Sequence, residues 1–167
     1  METIKNEKMK KPFRKMGFTY LETAEIVVAL NKLMANYYVH YHKLRNFHWN
    51  VESQDFFELH VEFENEYNTV IENIDIIAER IRVFGLKPSM SIKEMQGLSE
   101  IKEVKSDKMS PIAMVTEVLK DFDILHNKML DVLNAALDTG DNVTEQMVTD
   151  FMRKLEKRNW MFTSWCK

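Results

Sequence analysis

Cysteine is almost missing from this chain of 167 residues: a single one, Cys166, excludes a disulfide framework and any CxxC or four-cysteine zinc module. Glycine and proline are scarce as well, at four and three, which argues against a collagen-like, disordered or turn-rich all-β chain and favours helix. No apolar run approaches the roughly 18 residues that a membrane span needs, and none of signal-peptide length follows the lysine-rich start. An excess of basic residues is also lacking, since 23 Lys and Arg stand against 26 Asp and Glu for a net charge of −3. The chain as a whole is therefore not built like a nucleic-acid binder, and any basic surface is local. These features predict one soluble helical domain in a reducing compartment, the cytoplasm.

What is present is long helical periodicity. No glycine or proline interrupts residues 18–84. Val27, Leu30, Met34, Tyr37, Tyr41, Leu44 and His48 recur at alternating steps of three and four, the apolar seam of a packed helix, and its last member is a histidine. Glu52 to Asp55 break the pattern. Phe63, Tyr67, Val70, Ile74, Ile77, Ile81 and Phe84 resume it in a second helix over roughly 56–84, with Gly85 as its stop.

Residues 86–110 lose the seam and form a crossover with a short helical stretch at Ser91–Met95. Ser110 and Pro111 cap a third helix that carries Val118, Phe122, Leu125, Met129, Val132 and Ala136 to Gly140. Asn142 with Glu145 resembles a capping box for a fourth, holding Val148, Phe151, Leu155 and Phe162. Long helices joined short, long, short predict an all-α, up-down-down-up four-helix bundle over 19–167, preceded by a basic tail over 1–18.

Five residues carry chemistry: His48, His60, Glu64, Asp75 and Glu79. His60 and Glu64 are four apart, as are Asp75 and Glu79, so each pair projects from one face of the second helix. The step from 64 to 75 is 11 residues, about 20° past three full turns, so both pairs lie along one stripe. That stripe is offset by one residue from the apolar seam and runs along the edge of the core. Imidazole and carboxylate donors suit iron, zinc or manganese.

Distance then decides the architecture. Glu64 and Asp75 are about 16.5 Å apart along the axis, whereas metal ligands approach to about 2–2.3 Å. One helix cannot gather both pairs. Two antiparallel copies related by a two-fold axis near Thr69 and Val70 can, with His48, His60 and Glu64 from one subunit and Asp75 and Glu79 from the other. Taken singly, such pairs are also what a solvated helix face carries; their coincidence on one stripe, beside the histidine of the first seam, favours a metal. An intra-bundle di-iron site is disfavoured, because no Glu-x-x-His occurs and the first helix has no acid between Glu25 and Glu52.

Asn36-Tyr37-Tyr38, Asn46-Phe47-His48-Trp49-Asn50-Val51, Asp55-Phe56-Phe57-Glu58-Leu59-His60 and Asp75-Ile76-Ile77-Ala78-Glu79-Arg80-Ile81 together resemble the Dps proteins, the DNA-binding proteins from starved cells, or mini-ferritins. Gly85, Pro88, Glu156-Lys157 and Trp160-Met161 extend the resemblance over about residues 20–165. It implies a ferritin-like fold and a hollow homo-dodecamer built from two-fold dimers, with a ferroxidase centre at each dimer interface. Such a centre oxidises ferrous iron, preferentially with hydrogen peroxide, and the ferric product is stored as mineral, protecting DNA.

The resemblance makes His48, His60, Glu64, Asp75 and Glu79 the ligands of one or two irons, with zinc as a substitute, and Trp49 an electron sink beside them. Glu64 stands where the family often has Asp. Acid-lined pores guide iron inward in this family; Asp138, Asp141, Glu145 and Asp150 lie near the expected region, and helix capping explains them equally well. His40 is expected at the surface or an interface, His42 packed, and His126 partly exposed. Residues 1–15 carry six basic side chains (Lys5, Lys8, Lys10, Lys11, Arg14, Lys15) against Glu2 and Glu7, so twelve tails could hold DNA non-specifically. A DNA-compacting structural protein with little iron turnover, and a zinc-bound assembly with no redox role, are the competing functions.

Overall fold

The computed structural model describes residues 18–89 and 91–167, so the expected basic tail lies, up to residue 17, outside the described residues. Five helices follow one another: α1 (Tyr20–Asn50), α2 (Phe56–Val83), α3 (Ile92–Leu98), α4 (Pro111–Thr139) and α5 (Asn142–Trp165). The described residues contain no strand. The long helices are the four read from the apolar periodicity, and α3 is the short helix of the crossover.

Pairwise contacts give the directions. His48 near the end of α1 meets His60 near the start of α2, and Tyr37 meets Asn73, so these helices are antiparallel. His40 and Lys43 of α1 meet Asp121 in the first half of α4, which makes that pair antiparallel too. Arg80 of α2 reaches Asp141 at the start of α5, while Arg158 of α5 reaches Glu62 and Glu66 of α2. The result is the up-down-down-up bundle.

Apolar burial holds it together. Leu30, Leu33, Leu44, Phe47, Phe63, Ile77, Ile81, Leu125 and Met129 have no exposed surface. Side chains of this size each contribute roughly 1.5–3 kcal/mol when fully buried. Phe63 of α2 stacks on Phe162 of α5 with ring centres 6.3 Å apart.

Helix ends and the crossover are satisfied by polar side chains. Ser110 Oγ accepts the Ala113 amide at 3.3 Å, with Pro111 opening α4. Gly140, at φ +68°, closes that helix in the left-handed conformation that glycine tolerates. The α5 cap differs from the Asn142 expectation: Asp141 is the N-cap, and its carboxylate accepts the Thr144 amide at 3.2 Å. Three asparagines of α1 hold the crossover. Asn31 Oδ1 accepts the Ser89 amide, Asn36 Oδ1 accepts the amides of Glu100 and Ile101, and Asn46 binds Val104 and Ser106.

Two histidines are exchanged relative to expectation. His40 is fully buried and His42 is exposed. A narrow apolar seam treats α1 as one-sided, yet α1 packs against α2, α3 and α4. Leu33, Asn36, His40, Lys43 and Phe47 form a second buried stripe, in which His40 Nδ1 and Lys43 are paired with Asp121 of α4, Asn36 is bonded to the crossover, and His40 Nε2 is left without a partner. His126 is half-buried, as expected.

Candidate metal centre

His48 occupies the last turn of α1 and His60 the first turns of α2, so the five-residue connection between these helices sets the two rings against each other. Their centres are 3.8 Å apart and their planes 21° from parallel. His48 Nδ1 donates to the His60 carbonyl at 2.8 Å, and His60 Nδ1 donates to the His48 carbonyl at 2.8 Å. A carbonyl oxygen can only accept, so both nitrogens carry the proton and, in the neutral rings, both Nε2 atoms keep a free lone pair. This arrangement orients metal-ligating histidines, with the second ring nitrogen fixing tautomer and rotamer.

Glu64 follows His60 by one helical turn and completes a cluster in which one donor atom from each of His48, His60 and Glu64 lies within 4.8 Å of the others. An ion with bonds of about 2.1 Å would draw such donors to about 3–3.5 Å from one another, a small adjustment for a glutamate arm. His48 is buried, while His60 and Glu64 are half-buried and reachable from solvent. Phe56 stacks against His60 at 5.0 Å, and Tyr67 meets His48 edge-on at 5.4 Å. Burial and the negative charge of the neighbouring Glu64 push the Tyr67 phenol above its ordinary range.

Asp75 and Glu79 stand apart from this cluster. Both are exposed on α2, and neither has an ion-pair partner among the described residues. Trp49 is 61% exposed, with the Arg45 guanidinium 4.5 Å above its ring. The exposed side of α2 also carries Phe57, Val61, Ile71 and Ile76, so the two unpartnered acids sit among bare apolar side chains.

The acids considered for a pore part company. Asp141 is buried against Arg80 and Thr144. Burial raises its carboxyl, but the hydrogen bonds from Arg80 and Thr144 prevail and hold it below the ordinary carboxylate range. It is thus a cap and ion-pair residue. Asp150 pairs with Arg153, Asp138 is exposed and Glu145 is half-buried.

Sequence reasoning also passed over two polar contacts. Buried Glu66 and half-buried Glu62 both hold Arg158, and Asp121 binds His40 and Lys43 inside the bundle. The partners are 78–96 residues apart, beyond any local pattern.

A long-crossover bundle with a histidine–carboxylate cluster at one helix edge defines the ferritin-like class, and the ferritin-like domain model matches residues 27–167. Within that class the chain belongs to the Dps family. General stress protein 20U of Bacillus subtilis is 34% identical over 141 residues, covering 84% of this chain and 97% of that protein. DNA protection during starvation protein 2 of Bacillus anthracis is 34% identical over 137 residues, covering 82% and 93%. The crystal structure of a Dps protein from Vibrio cholerae O1, described as belonging to a superfamily of ferritin-like diiron-carboxylate proteins, is similar with a TM-score of 0.85. It is 32% identical and covers 93% of this chain and 100% of its own.

Proposed function

We propose that this protein is a cytoplasmic ferroxidase and iron store that oxidises ferrous iron with hydrogen peroxide at sites shared between two copies of the chain. The observation that carries this reading is the reciprocal tie between His48 and His60, which leaves both Nε2 lone pairs free in a cluster where one donor atom from each ring lies within 4.8 Å of the Glu64 carboxylate. Asp75 and Glu79 complete the site from a second copy, since about 16.5 Å separates them from Glu64 on their own helix and each is exposed without a partner. The bare apolar residues around them favour the same packing.

The chemistry follows from the donor set. Hard anionic oxygens favour the ferric over the ferrous ion. Two ferrous ions and one peroxide, with two protons, give two ferric ions and two waters, so no hydroxyl radical is released. Storage of the product belongs to a dodecameric cage, the assembly implied by the family. Zinc fits the same donors and competes with iron. Protection of DNA, which the names of several relatives state for those proteins, extends to this chain through removal of iron and peroxide.

The test is ferric absorbance after addition of ferrous iron and peroxide, compared with a His48→Ala, His60→Ala double variant. Equal rates would reject the site, and a monomer in size-exclusion chromatography would reject its sharing. The second reading, direct DNA compaction, rests on the basic residues 1–15; a low-salt gel shift unchanged by their removal rules out the tail.

A further inference from the structure

A second set of donors lies on the other edge of the bundle, between α4 and α5. These helices form a hairpin closed at Gly140 and Asp141, so residues equally far from Asp141 stand level with one another. His126 and Glu156 are each 15 residues from Asp141, and Asp123 and Asn159 are each 18. Phe122 and Phe162 meet across the same two helices, with ring centres 5.9 Å apart. The two level pairs are one three-residue step apart, about 4.5 Å along the axes and on the same side of each helix. All four side chains line one depression of about 220 Å³, floored by buried Phe122 and Leu155.

Among the described residues none of these four side chains has a hydrogen bond or an ion pair. The basic groups nearby are engaged elsewhere: Lys120 with Glu117, Lys128 with Glu100 and Asp131, and Arg158 with Glu62 and Glu66. Lys157 follows Glu156 in the chain but is turned about 100° around α5. Two carboxylates and an imidazole therefore share an apolar floor with no cation to balance them.

From this arrangement we propose that the groove between α4 and α5 is a second cation site, held directly by His126 and Glu156 and through water by Asp123 and Asn159, for a borderline divalent ion such as zinc or ferrous iron. The donors set the class, since imidazole nitrogen with carboxylate oxygen suits such ions. The spacing sets the mode. Asp123, His126 and Glu156 do not all bring donor atoms within 4.8 Å of one another, as His48, His60 and Glu64 do. The depression instead has room for several waters, each with about 30 Å³ of liquid volume, so the ion keeps part of its hydration and the outer pair binds those waters. His126 is half-buried while the other three are exposed, which makes it the fixed donor on which the ion is seated. The site shares no residue with the His48 cluster and does not depend on the ferroxidase reading.

The test is calorimetric titration of zinc into the assembled protein. The His48→Ala, His60→Ala variant should still bind one zinc per chain at the groove, and adding His126→Ala with Glu156→Gln should abolish that binding. In the wild type the latter two substitutions alone should lower the zinc count by one per chain. Both positions are at the surface, so circular dichroism and assembly size should not change. Asp123→Asn or Asn159→Ala, which reach only the ion's waters, should weaken the binding severalfold and leave the count intact. No zinc in the His48→Ala, His60→Ala variant, or a wild-type zinc count that His126→Ala with Glu156→Gln does not lower, overturns the proposal.

Discussion

His48 and His60 hold each other: each ring donates to the other's backbone carbonyl at 2.8 Å, although the two residues belong to different helices. Replacing either ring therefore removes one donor and releases the other. His60→Ala should lower the initial rate of peroxide-driven iron oxidation by at least about tenfold, the scale on which loss of an orienting hydrogen bond already acts at metal sites. Stopped-flow absorbance of the ferric product provides the measurement.

Sharing of the site can be tested by mixing. Copies lacking the histidines (His48→Ala, His60→Ala) and copies lacking the acids (Asp75→Ala, Glu79→Ala) should each be inactive alone. In a mixed two-fold dimer one of the two sites is intact, and random pairing makes half the dimers mixed, so equal co-assembly should restore about a quarter of the wild-type sites. No recovery in verified mixed dimers would place all ligands on one chain.

Asp121 receives His40 Nδ1 at 2.8 Å and Lys43 Nζ at 2.7 Å inside the bundle. Asp121→Ala strands His40 Nδ1 in the core, leaves Lys43 only the longer contact with Glu117 at 3.8 Å, and should destabilise the fold by about 3–5 kcal/mol. The exposed neighbour Asp123→Ala should stay within about 0.5 kcal/mol of wild type. Denaturant unfolding followed by circular dichroism distinguishes them.

Asp141 gives the fold an acid-sensitive joint. Its carboxyl titrates below the ordinary value in the folded chain, so its contribution is complete above an unfolded pKa of about 3.9 and disappears as pH falls through the lower folded value. Asp141→Asn should lower the melting temperature at pH 7 and flatten its dependence on pH below about 4. Asp141→Ala, which also removes the cap, should cost about 2 kcal/mol. Thermal melts across pH report both effects.

The long helices were legible because apolar residues recur at steps of three and four and because Ser110, Gly85 and Gly140 punctuate the chain. The convergence of His48, His60 and Glu64 was legible for the same reason: one pair shares a helix face, and a seam ends on the third residue. His40 was misplaced because a buried polar residue looks like a surface one until its counter-charge is known, and Asp121 lies 81 residues away. The cap of α5 fell one residue early, since Asp141 and Asn142 are both good cap formers and only the backbone decides between them. Arg158 between Glu62 and Glu66 had no local signal at all.

Phe57, Val61, Ile71 and Ile76 lie uncovered on the same side of α2 as two carboxylates without counterions. Water hydrates the acids but not the apolar side chains beside them, and the chain's own core covers neither, so dilution should act on this protein as a poison does on another enzyme. Below the concentration at which copies meet, each would be folded, sticky and idle, and its turnover should climb more steeply than in proportion to the amount of protein present.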